Sequence, residues 1–236
     1  MNSNPSKQYD DMAELYAEKS ETSVYNVYYE RPATKAIMPD IKGKKVLDAG
    51  SGGGILTEWL IEQDADVIAC DISEEMVKCT KNRVGDKAEV FVADIGKSLE
   101  FIPDQSIDVI VSSLVLHYIS NWLILFTEFS RILKKNGYVV FSTHHPHADW
   151  RWFDRPNYFK KELLSETWTI KGKPYPVSFY HRTLASMFAI FRKTGFYVDI
   201  LLEPLPQKEM KEMDPKNYER LITNPHFLFF RLIKSE

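Results

Sequence analysis

A chain of 236 residues with 44% hydrophobic content is long enough to bury one large core or two small ones. Its net charge is -3 and no Lys/Arg block exceeds two adjacent residues, which argues against the broad positive surface of a nucleic-acid binder and favours a small-molecule partner. Two cysteines, no signal peptide and no long apolar span point to a cytoplasmic protein with reduced thiols and no membrane contact.

Residues 6 to 19, with Tyr9, Met12, Ala13, Leu15 and Tyr16 at helical spacing, predict a leading helix outside any sheet. The aromatic stretch from Val24 to Arg31 breaks at Pro32, and a helix over 33 to 39 leads through Lys42 and Gly43 into the first strand. Val46 and Leu47 end that strand at a cluster of glycines, Asp48-Ala49-Gly50-Ser51-Gly52-Gly53-Gly54. The amphipathic Ile55, Leu56, Trp59 and Leu60 follow directly, giving strand, tight turn and helix. Without Cβ atoms at the turn, a ligand can reach the main chain and the first N–H groups of the helix. A second apolar run, Val67 to Ala69, ends at Asp71, about 20 residues past the turn, where a doubly wound fold sets an acid against ribose hydroxyls. A dinucleotide turn would read Gly-x-Gly-x-x-Gly, whereas Gly50, Gly52 and Gly54 recur at every second position behind Asp48. A carboxylate there repels a pyrophosphate and suits an ammonium group.

This segment resembles the first motif of class I S-adenosylmethionine-dependent methyltransferases, whose cofactor carries an amino acid tail and no phosphate. The resemblance implies an α/β fold, a Rossmann-like doubly wound sheet of seven strands with the last antiparallel. It implies S-adenosylmethionine as methyl donor and S-adenosylhomocysteine as product. Asp48, Gly50, Ser51 and Gly52 would then hold the methionine part and Asp71 the ribose. In such enzymes the aromatic N-terminal region often folds over the cofactor. Tyr16, Tyr25, Tyr28 or Arg31 would accordingly contact cofactor or substrate, or else simply pack with their polar tips to solvent.

Ser73 with Glu74 and Glu75 reads as a cap and first turn of a helix reaching about Arg83. A third strand, Val90 to Val92, ends at Asp94 and Ile95, which by resemblance receive the adenine amino group and ring, with Ile72 and Met76 closing its apolar sides or belonging to the core. A fourth strand over 107 to 111 leads to Ser112, Ser113 and His117, at the carboxyl ends that border the crevice of a doubly wound sheet. The run Leu114 to Ile119 is similar to small-molecule methyltransferases of the ubiquinone and biotin pathway type. The Asn/Asp-Pro-Pro-Tyr/Phe motif of nucleic-acid amino methyltransferases is missing there.

A helix from Trp122 to Leu133 closes on Lys134-Lys135-Asn136-Gly137, and strand five, Tyr138 to Ser142, runs into His144, His145 and His147. Neighbouring strand positions face opposite ways and no supporting ligand stands at a suitable spacing, so no metal site is expected. His144, His145 and His117 are instead candidate bases for an acceptor hydroxyl, amine or acidic carbon, or hydrogen-bonded structural histidines. The irregular aromatic stretch 148 to 180, with Trp150 and Tyr180, is expected to cover the crevice as a substrate lid or to form a dimer surface. His181 and Arg182 open a helix to about Thr194 and are further candidates for the acceptor. A sixth strand over 196 to 202, a charged tail and a last strand from Phe227 to Ile233 complete a single domain over 1-236. Its parts are an N-terminal helical cap (1-40), a cofactor-binding core (41-144), the lid insertion (145-180) and a C-terminal helix with strands (181-236).

The expected activity is methyl transfer to an apolar or aromatic small molecule by a monomer or homodimer. Rival readings are a non-catalytic S-adenosylmethionine-binding sensor, an RNA or protein methyltransferase using Lys160, Lys161, Lys171 and Lys173, and a dinucleotide oxidoreductase disfavoured by its glycine spacing.

Overall fold

The structure, a computed structural model, describes residue 10 and residues 12 to 235; Tyr9 of the leading segment lies outside the described residues. Five strands, β1 (Lys45–Ala49), β2 (Asp66–Asp71), β3 (Glu89–Val92), β4 (Ile107–Ser112) and β5 (Leu133–His144), run parallel. The last strand, β9 (Phe227–Lys234), is antiparallel between β5 and β8 (Phe196–Leu202), so the sheet order is β3-β2-β1-β4-β5-β9-β8. This is the seven-stranded doubly wound sheet that the resemblance implies. The strand order reverses between β1 and β4, which opens a crevice at their carboxyl ends.

Alternation along each strand feeds two cores, because neighbouring side chains face opposite sides of a sheet. Leu47, Ile110, Val139, Phe141 and Phe230 join Trp122, Phe126 and Phe129 of α5 (Trp122–Ile132) and Phe191 of α7 (Leu184–Lys193) on one face. Val46, Val109, Val111, Val140 and Phe229 meet Ala33 of α2 (Arg31–Ala36) and Leu56 and Leu60 of α3 (Ile55–Glu62) on the other. A helix α4 (Glu74–Val84), capped by Ser73, flanks β2 and β3.

Several local expectations change. The leading helix, α1, is Ala13–Thr22, and a π-turn, Asn26–Glu30, joins the aromatic stretch to α2. The helix expected from Trp122 to Leu133 ends at Ile132, and Gly137, expected to close it, lies instead within β5. Asn136 takes the left-handed conformation (φ 59°), while Gly137 is needed for close approach: a Cβ there would sit 2.8 Å from the Asp108 carbonyl. His145 is not on a strand but caps α6 (Pro146–Trp152) through its ring Nδ1, which accepts the His147 N–H at 3.1 Å.

The stretch expected to be irregular contains an antiparallel hairpin, β6 (Glu162–Ile170) with β7 (Lys173–His181), closed by Lys171 and Gly172, both at positive φ. That two-residue turn matches the twist of paired strands, and it was readable as Lys-Gly between alternating apolar residues. Two short helices, α8 (Met210–Met213) and α9 (Pro215–Leu221), occupy the charged tail. Among the described residues no helix is long and apolar enough to cross a membrane.

Candidate active site

The glycine turn works through backbone geometry. Gly50, Gly52 and Gly54 all have positive φ (90°, 53° and 80°), and a Cβ on Gly50 would run into the Val115 side chain. Asp71, at the end of β2, ties the turn to the next helix: Oδ2 accepts the Gly52 N–H at 2.9 Å and Oδ1 the Ser73 N–H at 3.0 Å. Thr80 on α4 donates to the Gly52 carbonyl at 2.8 Å.

Above this turn lies a cavity of about 820 Å³. Asp48, Gly50, Ser51, Gly52, Asp71, Ile72, Met76, Asp94 and Ile95 line it, as do Tyr16 and Arg31 from the N-terminal elements and Tyr180 from the hairpin. Local sequence therefore brings most of the expected cofactor set to one surface. Burial pushes Asp48 up to about 7, opposed by its 2.7 Å bond from Thr57 and assisted by Asp71 and Glu30. Burial also raises Asp71, against the pull of the Ser73 and Gly52 N–H groups. Tyr16 is pushed up to about 12 by burial and by the charges of Glu30 and Asp71. Asp94 accepts the Gly96 N–H at 2.9 Å and has Lys97 at 3.3 Å.

Other expected residues lie elsewhere. Ser112 is fully buried and donates to the Ala49 carbonyl at 2.6 Å, locking β4 to β1 instead of facing the cavity. Tyr25 bonds Asn217 at 2.5 Å and accepts from Arg220 at 2.8 Å, on the side of α9. Tyr28 packs against the second core, and Trp150 stands against Tyr158 with its rings 6.4 Å apart. Arg182 is pushed down to about 10 by burial; it donates to the Ile119 and Ser120 carbonyls and lies 4.8 Å over Trp122.

The histidines form a cluster behind the cavity wall. His117 is buried and stacks on His144 with ring centroids 3.9 Å apart; His144 Nδ1 lies 3.4 Å from Asp149. Asp149 also approaches His181 Nδ1 at 3.6 Å, and His181 Nε2 bonds the Tyr158 carbonyl at 2.8 Å. Burial holds His117 well below the ordinary imidazole range. Burial pushes Asp149 up, but His144 and His181, which face it, outweigh that and hold its carboxyl below the usual range. His145 points to Glu203, 2.7 Å away. None of the three candidate bases lines the cavity.

Glu30 is a cavity residue that no local sequence motif marks. It is 1% exposed, yet it lines the cavity and gathers hydroxyls from Thr34, Ser113 and Ser142. An acid inside an aromatic run was the available signal. Tyr118, Leu163 and Ser178 also line the space, the last two from the hairpin.

Acids, bare backbone and flanking Ile72, Met76 and Ile95 fit a nucleoside with a cationic amino acid tail. The methyltransferase domain family matches residues 47–141, which includes the glycine turn, Asp71, Asp94 and the wall through β5. A solved structure from Listeria monocytogenes, assigned only provisionally as an S-adenosylmethionine dependent methyltransferase, superposes with a TM-score of 0.76 at 26% identity, covering 94% of this chain and 100% of that one. Residues 47–141 are a class I S-adenosylmethionine-dependent methyltransferase domain.

An uncharacterized protein of Haemophilus influenzae is 28% identical to this methyltransferase over 96% of each chain. A ubiquinone biosynthesis O-methyltransferase of Aliivibrio fischeri is 34% identical over 104 residues, 43% of this chain and 44% of that protein. The likeness to that enzyme is therefore confined to less than half its length. S-adenosylmethionine is the cofactor of this methyltransferase, and its bound form supplies a methyl group already made electrophilic by sulfonium.

Proposed function

We propose that this methyltransferase acts on a small, apolar or aromatic acceptor. The observation that carries the reading is the roof of the cavity. Leu163, Ser178 and Tyr180 of the hairpin line it opposite Asp71 and Asp94, and Tyr16 of α1 stacks on Trp168 of β6 with centroids 6.0 Å apart. A roof of this kind, apolar and aromatic, suits a small acceptor held against the cofactor. The Aliivibrio relative, named for an O-methylation in ubiquinone biosynthesis, supports the same class.

In this reading Asp71 receives the ribose hydroxyls, Asp48 and the glycine turn the methionine part, and Asp94 with Ile95 the adenine. The hairpin and α1 hold the acceptor in line with the transferable methyl group and exclude water. The nucleophile forms its bond to the methyl carbon as the carbon–sulfur bond breaks, and S-adenosylhomocysteine leaves. His117, His144 and His145 support the wall in this scheme and transfer no proton. An acceptor that is already a good nucleophile, such as a phenolate or thiolate, needs only positioning.

The test is transfer from S-adenosylmethionine labelled in its methyl group to a panel of phenols, amines and thiols, run beside total RNA and an unfractionated protein pool. Label in a small acceptor, rising with its apolar area, is the expected result. Label confined to RNA or protein overturns it.

A further inference from the structure

Glu30 ends the π-turn that joins the N-terminal segment to α2, and it is buried to 1% exposure while facing the cavity. Its Oε1 accepts three hydroxyl hydrogens, from Thr34 at 2.7 Å, Ser113 at 2.8 Å and Ser142 at 2.6 Å. All three donors are neutral. The adjacent Arg31 turns its guanidinium to the carbonyls of Asn26, Ser20 and Glu21, where it secures the end of α1. Among the described residues no ion pair within 4.0 Å involves Glu30. Arg31 feels the charge of Glu30 but makes no bond to it, and a buried carboxylate held only by hydroxyl donors has only partly replaced its lost hydration. The charge of Glu30 also makes the protons of both Asp48 and Tyr16 harder to remove, and all three line the same cavity. Asp48 is itself pushed up to about 7 by burial.

We infer that Glu30 is the receptor for positive charge at the methionine end of S-adenosylmethionine, and that the ligand completes the ion pair the apoprotein lacks. Two cationic groups of that ligand share this chemistry, the ammonium and the sulfonium. The inference rests on the reading that the cavity binds S-adenosylmethionine through Asp48 and the glycine turn.

Calorimetric titration of wild type and Glu30→Gln with three ligands tests it. S-adenosylmethionine carries both cations, S-adenosylhomocysteine only the ammonium, and 5'-methylthioadenosine neither. The substituted amide keeps an oxygen for the three hydroxyls and removes the charge. S-adenosylmethionine is expected to bind at least tenfold more weakly to Glu30→Gln, with 5'-methylthioadenosine unchanged. An equal loss for S-adenosylhomocysteine identifies the ammonium as the partner, and an unchanged S-adenosylhomocysteine identifies the sulfonium. Equal losses for all three ligands, or none for S-adenosylmethionine, overturn the inference and leave Glu30 as a clamp between α2 and the strand ends. Failure of wild type to bind S-adenosylmethionine would instead strike the reading of the cavity. Should Glu30→Gln not fold, Glu30→Asp retains the charge but withdraws it, and the same ordering of the three ligands is expected.

Discussion

Asp48 sits where two demands meet: it is 1% exposed, and it lines the cavity beside the charged Asp71 and Glu30. Burial raises its folded value to about 7 from an ordinary 3.8. Between those values the unfolded chain has released its proton while the folded chain keeps it. The stability from the protonated form is therefore full below 3.8 and lost as pH rises through about 7. Asp48→Asn is expected to be more stable than wild type at pH 8 by on the order of a few kcal/mol and nearly equal to it at pH 4, as read by thermal melts of the ligand-free protein. An unchanged difference across that range would show that Asp48 does not titrate there. The place of Asp48 in the cavity wall was legible from sequence because the turn is local. Glu30 was not, since its partners Ser113 and Ser142 stand 83 and 112 residues away.

At the scale of elements, the roof is a joint between two segments far apart in the chain. Met12 of the N-terminal segment packs with Ile170 and Tyr175 of the hairpin, Tyr16 stacks on Trp168, and Lys171 reaches Glu18 at 2.6 Å. The exposed ion pair adds little, and the aromatic and apolar contacts carry the joint. Trp168→Ala is expected to loosen both sides together, removing about 1 kcal/mol of pair interaction beyond its buried area. Amide hydrogen exchange checks this: α1 and the hairpin should both exchange faster, while β1 and β4 stay protected. Faster exchange in the hairpin alone would mean that α1 closes the cavity independently. The pairing of β6 with β7 was readable in its turn residues, but the docking of the hairpin on α1 was not, because neither strand names its partner.

For the whole molecule, the histidines set a second pH limit opposite to that of Asp48. Burial lowers His117, His145 and His226, the last to about 3, with Arg220 and His144 adding repulsion at His226. Stability from these neutral imidazoles is full above the ordinary 6.5 and is lost as pH falls toward the folded values. His226→Phe is expected to gain on wild type by on the order of a few kcal/mol between pH 7.5 and pH 4.5, measured by denaturant unfolding at both values. A constant difference would mean that His226 is reached by water in the folded state.

The sequence by itself determined the sheet, the glycine turn and the acids at the ends of β2 and β3. Each depends on short-range periodicity or on backbone that only glycine can adopt, and both are written within a few consecutive residues. Tertiary structure alone decided that the histidines lie behind the wall, that Ser112 locks two strands, and that a hairpin and α1 share the roof of the cavity that the buried Glu30 lines. Those outcomes come from contacts between residues tens to more than a hundred positions apart, where burial and packing against distant partners, not the identity of the residue, fix what each side chain faces.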